Sequence, residues 1–363
     1  MDIFQSTEKY ETWLRKHIQV QESDLKLKHS KMAADLFQFF RATYYRWAEH
    51  WTDVCPEPAK APSCLAVADL HIENFGTWRD DEGRLIWGIN DFDEACPMAY
   101  TNDLTRLAAS AIIAMDSPDQ PPELKAGGAL DAMLEGYQAA LSEGGQPFVL
   151  EEKHGWLRRL ATSDLRDPEQ FWNKLEQVPP YAQQLPGNVE VVLRQALPQK
   201  SDVQKISARV AGLGSLGRYR FVAMASRSGG YVAREAKAYV PPVSAGDDQT
   251  CYYNEIVSKA IRCTDPTLGI TDGWVIRRLS PYCSRVELSE LPKEHDNKKL
   301  LRSMGYETAN VHLGSTPAAT IAADLGRRPQ GWLHDSARSM LDAIKTDWHN
   351  WKAKEVSTSS PLP

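Results

Sequence analysis

The sequence lacks the marks of several protein classes. Its 363 residues include 6 cysteines and no Cys-x-x-Cys pair, so we expect reduced thiols in a cytoplasmic protein and no cysteine-based metal site. No apolar run approaches the roughly 18 residues of a membrane span, and the first residues show no basic-then-apolar signal peptide. The net charge of −6 gives no support to nucleic-acid binding. No feature indicates an oligomeric state.

What is present fits a soluble enzyme. Hydrophobic residues make up 42% of the chain, and 11 tryptophans are among them, so a large core can be buried. The length predicts about two domains or lobes. In residues 24–51, apolar and aromatic side chains recur every three or four positions, which predicts a long amphipathic helix whose aromatics belong to the core and not to a ligand cage.

The main chemical motif is a set of oxygen-bearing side chains. Asp69 and Asn74 lie five residues apart, and Asp91 follows a later apolar run. Kinase-like phosphotransferases arrange their catalytic and metal-binding residues in this way, because phosphoryl transfer needs a carboxylate to orient the hydroxyl and oxygen ligands for Mg²⁺. We expect Asp69 to be catalytic and Asn74 and Asp91 to hold the metal. Asp93 would assist with a second metal or cap the following turn.

The flanking residues predict how these groups meet. Residues 64–68 and 84–89 have strand character and lead into Asp69 and Asp91, and the turn-forming cluster at 80–83 predicts that they form a hairpin. Both acidic groups would then lie at neighbouring strand ends. The alternative is a surface hairpin with ordinary solvated acids, because Asp and Asn are common in turns.

The segment that follows is also similar to aminoglycoside and choline phosphotransferases. In those proteins a Pro…Asp-Leu sequence after the metal-binding Asp begins a helix, and its Asp accepts backbone hydrogen bonds from the catalytic loop. Asp103 matches that position, although a helix-start acid is also favoured by the helix dipole. Arg106, one turn later, is predicted to pair with Asp103. His71 matches a His or Lys in the same proteins and is expected to hold the loop.

Several segments together resemble a known family. They are Lys31–Ala34 with Phe39–Arg41, Asp69–Gly76, Asn90–Glu94, Asp103–Leu107, Gly212–Gly217, Arg234–Ala236 and Val275–Leu279. In combination they resemble an uncharacterised bacterial family, domain of unknown function 2252, over residues 23–315. The family looks kinase-like, and the resemblance supplies no substrate.

Strand character returns after residue 204, around a glycine-rich loop. Residues 205–210, 219–224 and 231–237 predict three strands, joined by residues 212–217 and by a Ser-Gly-Gly turn. This arrangement resembles the nucleotide-binding lobe of a kinase. Glycine lets the backbone approach phosphates closely with its N–H groups directed at them. The predicted nucleotide-binding residues of this loop are Gly212, Gly214, Ser215 and Gly217.

The glycine loop also fits a dinucleotide-binding Rossmann unit. Its Gly-x-Gly-x-x-Gly pattern follows a predicted strand, and Glu235 lies near the position of a ribose-binding acid. A Rossmann unit requires a helix directly after the third glycine. Residues 218–225 alternate and soon meet a turn, which favours a β-hairpin and the kinase interpretation.

A kinase also needs a phosphate-binding lysine on its third strand, paired with a helix Glu. The position that matches the family's Lys-Glu-Ala carries Arg234, and Lys237 lies three residues later, on the opposite face of a regular strand. Three possibilities stay open: Arg234 binds the phosphates, Lys237 binds them, or activity is weakened. Glu255, on a helix predicted at 251–262, is the candidate pairing acid, or a solvated surface residue.

These parts predict an α+β, protein-kinase-like two-lobe fold. Because the catalytic motifs precede the nucleotide-binding lobe, the fold would be circularly permuted. We expect a helical catalytic lobe at 1–200, a β-rich nucleotide lobe at 201–290, helices at 291–353 that rejoin the first lobe, and a flexible tail at 354–363. A strand at 274–279 would lead to the hinge. The remaining predicted helices span 7–20, 103–115, 122–142, 150–162, 167–177, 188–197, 296–313, 316–325 and 333–352.

The expected function is phosphoryl transfer from ATP, with Mg²⁺, to an unknown hydroxyl acceptor that is a small molecule or a protein. Three alternatives stay open at this stage. A pseudokinase would bind nucleotide or a protein partner without turnover. A kinase-fold nucleotidyltransferase would transfer AMP. A Rossmann-type oxidoreductase would bind NAD(P).

Overall fold

A computed structural model describes residues 1–116, 126–162, 167–246, 249–283 and 294–359. The fold is a mixture of α and β, as predicted. The helices are α1 (Ile3–His17), α2 (Glu22–Ala34), α3 (Leu36–Ala42), α4 (Tyr44–Val54), α5 (Tyr100–Met115), α6 (Ala126–Glu143), α7 (Gly155–Ala161), α8 (Pro168–Gln177), α9 (Val189–Ala196), α10 (Tyr253–Lys259), α11 (Glu294–Leu313), α12 (Ala318–Leu325) and α13 (Trp332–Ser359). The strands are β1 (Ser63–Ala66), β2 (Phe75–Arg79), β3 (Leu85–Ile89), β4 (Cys96–Ala99), β5 (Phe148–Val149), β6 (Asp202–Ala208), β7 (Arg220–Arg227), β8 (Gly230–Ala238), β9 (Gly269–Thr271) and β10 (Trp274–Leu279).

The predicted hairpin between residues 64–68 and 84–89 is wrong. The strand β1 pairs antiparallel with β4, whereas β3 pairs with β2 and with the short β5. The turn at 80–83 is present, but it joins β2 to β3. Residues 75–79 are all buried or half-buried and form the strand that the prediction left out. The segments that lead into Asp69 and Asp91 therefore belong to two different sheets.

The long helix predicted at 24–51 is divided into three. At Asp35 the backbone is extended, with φ −149° and ψ 139°, and the carboxylate accepts a 2.9 Å hydrogen bond from the Gln38 N–H. An Asp that caps a helix in this way marks the start of a new helix at the next residue. A second break lies at Thr43. The aromatic side chains of the stripe are nevertheless buried, with Phe40 and Trp47 at 0% exposure, so their assignment to the core is confirmed.

The strands after residue 200 form one antiparallel sheet in the order β6-β7-β8-β10-β9. The segment after the glycine loop is the strand β7, paired antiparallel with β6. The parallel strands and intervening helix of a Rossmann unit are therefore not formed here. The helix α10 lies between β8 and β9 in the chain and is shorter than predicted.

The two faces of this sheet have different neighbours. One face packs Phe221, Ala236 and Ile276 against the helix α9. The other face presents Val222 and Ala233 to the helix α8, and further along the same strands it carries charged side chains. That second face borders the candidate site described below.

The helices α6 and α11 cross at a close contact made by glycine. A Cβ added to Gly136 would stand 1.9 Å from the backbone carbonyl oxygen of Arg302, and a Cβ on Gly305 would stand 1.9 Å from that of Met133. Each glycine therefore admits the backbone of the facing helix. The α11 helix then continues to Glu307, which accepts a hydrogen bond from the Ile89 N–H of β3, and to His312, which contacts Asp103 of α5.

The other predicted helices are present with shifted ends, and α13 reaches Ser359, beyond its predicted end. Residues 122–125 of one predicted helix and residues 360–363 of the predicted tail lie outside the described residues. Within the described part of the chain, no helix is both long enough and apolar enough to cross a membrane.

Candidate functional site

The loop that carries Asp69 is held from behind by α5 and α11. Val67 and Ala68 donate their backbone N–H groups to the two carboxylate oxygens of Asp103, at 2.7 and 2.8 Å. His312 Nε2 lies 3.0 Å from the same carboxylate, and both side chains are fully buried. Ala68 has φ +68°, a left-handed conformation that costs free energy for alanine. The buried Asp103 thus stabilises a strained turn directly before Asp69.

Arg106 contacts Asp69 and not Asp103, which corrects the predicted pairing. Its Nε and one terminal nitrogen donate to Asp69 Oδ1, at 2.8 and 2.5 Å. The guanidinium is fully buried and lies 4.1 Å from the centre of the Phe40 ring. The pairing fixes one oxygen of Asp69. The other oxygen, Oδ2, is directed toward Gly214, 3.9 Å from where a Cβ on that glycine would stand.

The pKa of Asp69 is raised to about 6. Burial is the largest cause, since it penalises the charged carboxylate, and the nearby Asp91 adds to it. The Arg106 guanidinium opposes this shift. A carboxylate with a pKa near 6 is a suitable acceptor of a proton at neutral pH.

Asn74 and His71 form a short helical turn beside Asp69. His71 donates its backbone N–H to Asn74 Oδ1 at 2.6 Å, and its ring nitrogen Nδ1 accepts from the Glu73 N–H at 3.2 Å. The His71 ring also lies edge-on to Phe37. His71 is therefore placed to hold the turn, and Asn74 lies in the wall of the same cavity as Asp69.

Asp91 and Asp93 meet a lysine from the antiparallel sheet. Lys237 Nζ forms an ion pair with Asp93 and lies 3.6 Å from Asp91 Oδ1. Arg218 also contacts Asp93, at 3.2 Å. The Asp91 side chain is 35% exposed, whereas that of Asp93 is 12% exposed. Asp91 is thus the more open of the two carboxylates.

The glycine loop lies over Asp69. A Cβ on Gly214 would stand 3.2 Å from the Arg41 carbonyl oxygen, so a side chain there would crowd the loop. Gly212 and Gly217 have φ values of +76° and +97°, which glycine adopts without strain. Ser215 accepts a 2.8 Å hydrogen bond from Arg220.

The N-terminal helices hold this loop in place. Gln21 donates its backbone N–H to the Gly217 carbonyl at 2.9 Å. Lys28 donates from Nζ to the Gly214 carbonyl at 3.3 Å, and the ammonium lies 4.7 Å from the centre of the Tyr10 ring. The loop is thereby fixed against α2, and the same Lys28 ammonium contacts α1 through Tyr10.

Arg234 and Lys237 lie on opposite faces of β8, as the strand period predicts. Lys237 faces the acidic groups, whereas Arg234 faces α9 and donates to the carbonyls of Ala196 and Ala233. Burial lowers the pKa of Arg234 to about 10, and Arg278 adds to this. The structure therefore places Lys237, and not Arg234, at the site. Glu255 pairs with Lys259 at 2.6 Å on an exposed surface. It is therefore not the acid that pairs with Lys237, whose acidic partners are Asp91 and Asp93.

Residues that the sequence interpretation left out complete this face of the sheet. Glu235, fully buried, contacts Arg209, Arg220 and Arg277 at 2.6, 2.6 and 2.7 Å. Sequence reasoning considered Glu235 for the Rossmann alternative alone. Its spacing of two from Lys237 is the signal that places both on one face of the strand.

Glu94 is a further residue that was not singled out. It contacts Arg218 at 3.4 Å and accepts a 2.7 Å hydrogen bond from the Val243 N–H. Burial raises its pKa to about 7, although Arg218 opposes the shift.

Two cavities meet at these residues. The smaller, about 50 Å³, brings together the predicted residues Asp69, His71, Asn74, Asp91, Asp93, Gly212, Gly214 and Ser215. The larger, about 660 Å³, has Asp91 and Gly212 in its wall as well. Its lining includes Phe171, Leu175, Val222 and Leu279 at an apolar part and Arg209, Arg220, Lys237, Arg262 and Arg277 at a basic part. Gly217, Arg234, Glu255, Asp103 and Arg106 line neither cavity.

The donor set suits a hard cation that keeps other ligands of its own. Over the described ranges, no three His, Cys, Asp or Glu side chains converge as a complete metal site. The oxygens at this place are Asn74 Oδ1, which also accepts the His71 N–H, and the carboxylates of Asp91 and Asp93. Asp93 Oδ1 is buried without a hydrogen-bond partner. Mg²⁺ is typically bound by one or two carboxylates together with substrate phosphates. The residues present fit that mode of binding.

Comparison with known proteins gives one match. Residues 20–174 match the model of a family described as "Uncharacterized protein conserved in bacteria (DUF2252)". The predicted resemblance to domain of unknown function 2252 is thereby confirmed over these residues, which include the motifs from Asp69 to Asp103. The match ends before the glycine loop. No curated protein and no solved structure matches the chain.

Proposed function

We propose that the protein is an ATP- and Mg²⁺-dependent phosphotransferase that acts on a hydroxyl acceptor. The observation that carries the proposal is the convergence of Asp69, Asn74 and Asp91 on one cavity beneath a glycine-rich loop, with Lys237 3.6 Å from Asp91. A catalytic carboxylate, two metal ligands, a glycine loop and a phosphate-binding lysine are the recurring parts of kinase active sites.

The order of parts in the sheet supports a kinase-like nucleotide lobe. The glycine loop joins the first and second strands, β6 and β7, and Lys237 lies on the third, β8. Protein kinases likewise cover the phosphates with a glycine-rich loop and carry their lysine on the third strand. Because Asp69 and Asp91 precede this sheet in the chain, the proposed two-lobe fold is circularly permuted.

The larger cavity is the proposed nucleotide site. Its volume of about 660 Å³ lies within the range of about 300–1,000 Å³ that is usual for small-molecule sites. The apolar part against α8 suits a base and ribose, and the basic part beside Lys237 suits phosphates. Asp91, at the junction of the two cavities, then lies where phosphates and acceptor meet.

The residues would divide the chemistry as follows. Asp69 Oδ2 accepts the proton of the acceptor hydroxyl, while Arg106 holds Oδ1 and so fixes the direction of the free oxygen. Asn74 and Asp91 would hold Mg²⁺, which neutralises phosphate charge when bound, and Asp93 lies beside them. Lys237 supplies a positive charge at the phosphates once its pairing with Asp93 is shared with them.

The two kinase-fold alternatives differ from this proposal in their products. Phosphoryl transfer releases ADP, AMP transfer releases pyrophosphate, and a pseudokinase releases neither. The case for an inactive protein rested on Arg234 in place of a lysine. With Lys237 facing Asp91, that argument loses its force.

Calorimetric titration of the purified protein with ATP, with and without Mg²⁺, tests the proposal. We expect Mg²⁺-dependent binding that weakens at least about tenfold in Asp91→Ala, and no binding of NADH. Lys237→Met should weaken ATP binding, whereas Arg234→Met, on the opposite face of the same strand, should not. Slow release of ADP in the absence of an added acceptor should disappear in Asp69→Asn with ATP affinity retained.

Two results would contradict the proposal. Unchanged ATP binding in both Asp91→Ala and Lys237→Met would show that ATP does not bind at this site. Release of pyrophosphate in place of ADP would assign the protein to AMP transfer.

A further inference from the structure

The cleft face of the sheet carries a group of guanidiniums that exceeds the local negative charge. Arg209, Arg220 and Arg277 surround the single carboxylate of Glu235, at 2.6 to 2.7 Å. Three positive charges against one negative leave a net charge of about +2 in a partly dehydrated place, where charge interactions are stronger than in water. Lys237, on the same face, is matched by Asp91 and Asp93 and does not need Glu235.

The group is fixed in position from the inside. Glu235 is fully buried, and although burial alone would raise its pKa, the three guanidiniums hold the pKa of this carboxyl well below its usual range. Arg220 is 5% exposed and spans Glu235 and Ser215 of the glycine loop. A Cβ on Gly212 would stand 2.8 Å from a terminal nitrogen of Arg220, so that glycine makes room for the guanidinium.

The outer two arginines remain open to the larger cavity. The side chains of Arg209 and Arg277 are 39% and 32% exposed, and both line the cavity. Arg277 donates to Glu235 through Nε and Arg209 through one terminal nitrogen. Since a guanidinium has five N–H donors, each retains donors for a ligand. Planar donors held in fixed positions suit phosphate oxygens.

We propose that Arg209, Arg220 and Arg277, positioned by Glu235, form a polyphosphate-anchoring site in the larger cavity. Identification of the ligand as a nucleoside triphosphate rests on the proposed function, whereas the anion site rests on the geometry of the cluster. The site holds the ligand by its phosphates, so inorganic triphosphate competes with ATP and adenosine does not.

The test is titration of the full chain with inorganic triphosphate in the presence of EDTA, so that metal ligation does not contribute. We expect the wild type to bind, and Arg209→Gln and Arg277→Gln each to weaken binding at least about tenfold. Arg209→Gln leaves Glu235 paired with the two other arginines, so its folded state should be retained. Arg194→Gln is the matched control, since Arg194 pairs with Glu190 on α9 at the other face of the sheet.

The outcomes separate this inference from the proposed function. In EDTA, Asp91→Ala should bind triphosphate at least as tightly as the wild type, because the substitution removes a carboxylate beside Lys237 and leaves the three arginines in place. Equal affinity in the wild type and in a folded Arg209→Gln would overturn the anchoring site. Absence of triphosphate binding by the wild type would do the same, while Mg²⁺-dependent ATP binding sensitive to Asp91→Ala would leave the phosphotransferase proposal standing.

Discussion

Arg106 directs two of its nitrogens at the same oxygen of Asp69, at 2.8 and 2.5 Å. The other oxygen is left to face the glycine loop. A carboxylate held in this way is fixed in orientation, and its pKa is still raised to about 6 because burial outweighs the neighbouring guanidinium. Orientation and proton affinity are thus set by different parts of the surroundings.

The first prediction concerns pH. In the proposed reaction Asp69 accepts a proton, which it can do only when ionised, and the ionised fraction falls as the pH drops through its pKa. ATP turnover should therefore decline below about pH 6, and not below about pH 4, where an ordinary Asp would lose its charge. Initial rates of ADP release between pH 5 and 8 measure this. A flat profile down to pH 5 would show that Asp69 does not act as the base.

The second prediction concerns the buried guanidinium. Arg106→Met removes the group that lowers the pKa of Asp69, so the acidic limb of the profile should move to higher pH. Loss of one member of a buried pair should also cost about 3 kcal/mol of unfolding free energy, measured by urea denaturation.

A surface pair provides the control for Arg106→Met. Arg338 lies 3.6 Å from Asp116, with side chains 39% and 51% exposed. Arg338→Met should change the unfolding free energy by less than about 0.5 kcal/mol. If both variants lose a similar amount of unfolding free energy, burial does not make the Arg106–Asp69 pair more important for stability than a surface pair.

The third prediction concerns the crossing of α6 and α11. Gly305→Ala places a methyl group 1.9 Å from a backbone oxygen of α6, so the helices must separate, at a cost of at least about 1–3 kcal/mol. Gly128→Ala, on α6 away from the crossing, meets nothing within 4 Å and should stabilise the protein by up to about 1 kcal/mol. Thermal denaturation of both variants checks the pair. Equal effects of the two substitutions would contradict the close crossing.

The fourth prediction concerns the support of the glycine loop. Lys28→Met keeps the buried stem but removes the hydrogen bond to the Gly214 carbonyl and the charge over the Tyr10 ring. Loss of about 1–2 kcal/mol should speed hydrogen exchange of residues 212–217 by about tenfold. Lys26→Met, at an exposed position of the same helix, should leave exchange unchanged. Protection equal to that of the wild type in Lys28→Met would refute the role of this contact.

The grouping of the candidate site residues was predictable because its information is local. The spacing of Asp69, Asn74 and Asp91 specifies a short turn and a following strand, and these residues do line one cavity. Asp103 was placed correctly behind the loop because its helix begins within a recognisable sequence.

Pairings between distant segments were not predictable in the same way. Residues 75–79 directly follow the Asp69–Asn74 motif, and no strand is predicted for them from the sequence. The prediction therefore pairs β3 with β1, whereas the structure pairs β3 with β2. Likewise, helix spacing predicts an ion pair between Arg106 and the nearby Asp103, although the partner of Arg106 is Asp69. Local spacing does not indicate which side chain a buried cation will reach.

The cluster around Glu235 shows the same limit. Its three arginines come from β7, from β10 and from the residue that follows β6, and the register of those strands decides that they meet. Strand period alone places Glu235 with Lys237, but it does not identify the partners on neighbouring strands.

The ion pairs of Asp91 and Asp93 with Lys237 and Arg218 have a consequence for synthesis. Asp91 and Asp93 emerge from the ribosome long before Arg218 and Lys237 are synthesised, and domains begin to fold from the N-terminus as they emerge. The acidic loop of the nascent chain therefore lacks Lys237 and Arg218 until the sheet is translated. A ribosome-bound chain that ends before residue 218 should be cut by protease near residues 91–93, where the full-length protein is protected. The site is therefore completed only after residues 218–237 have been synthesised.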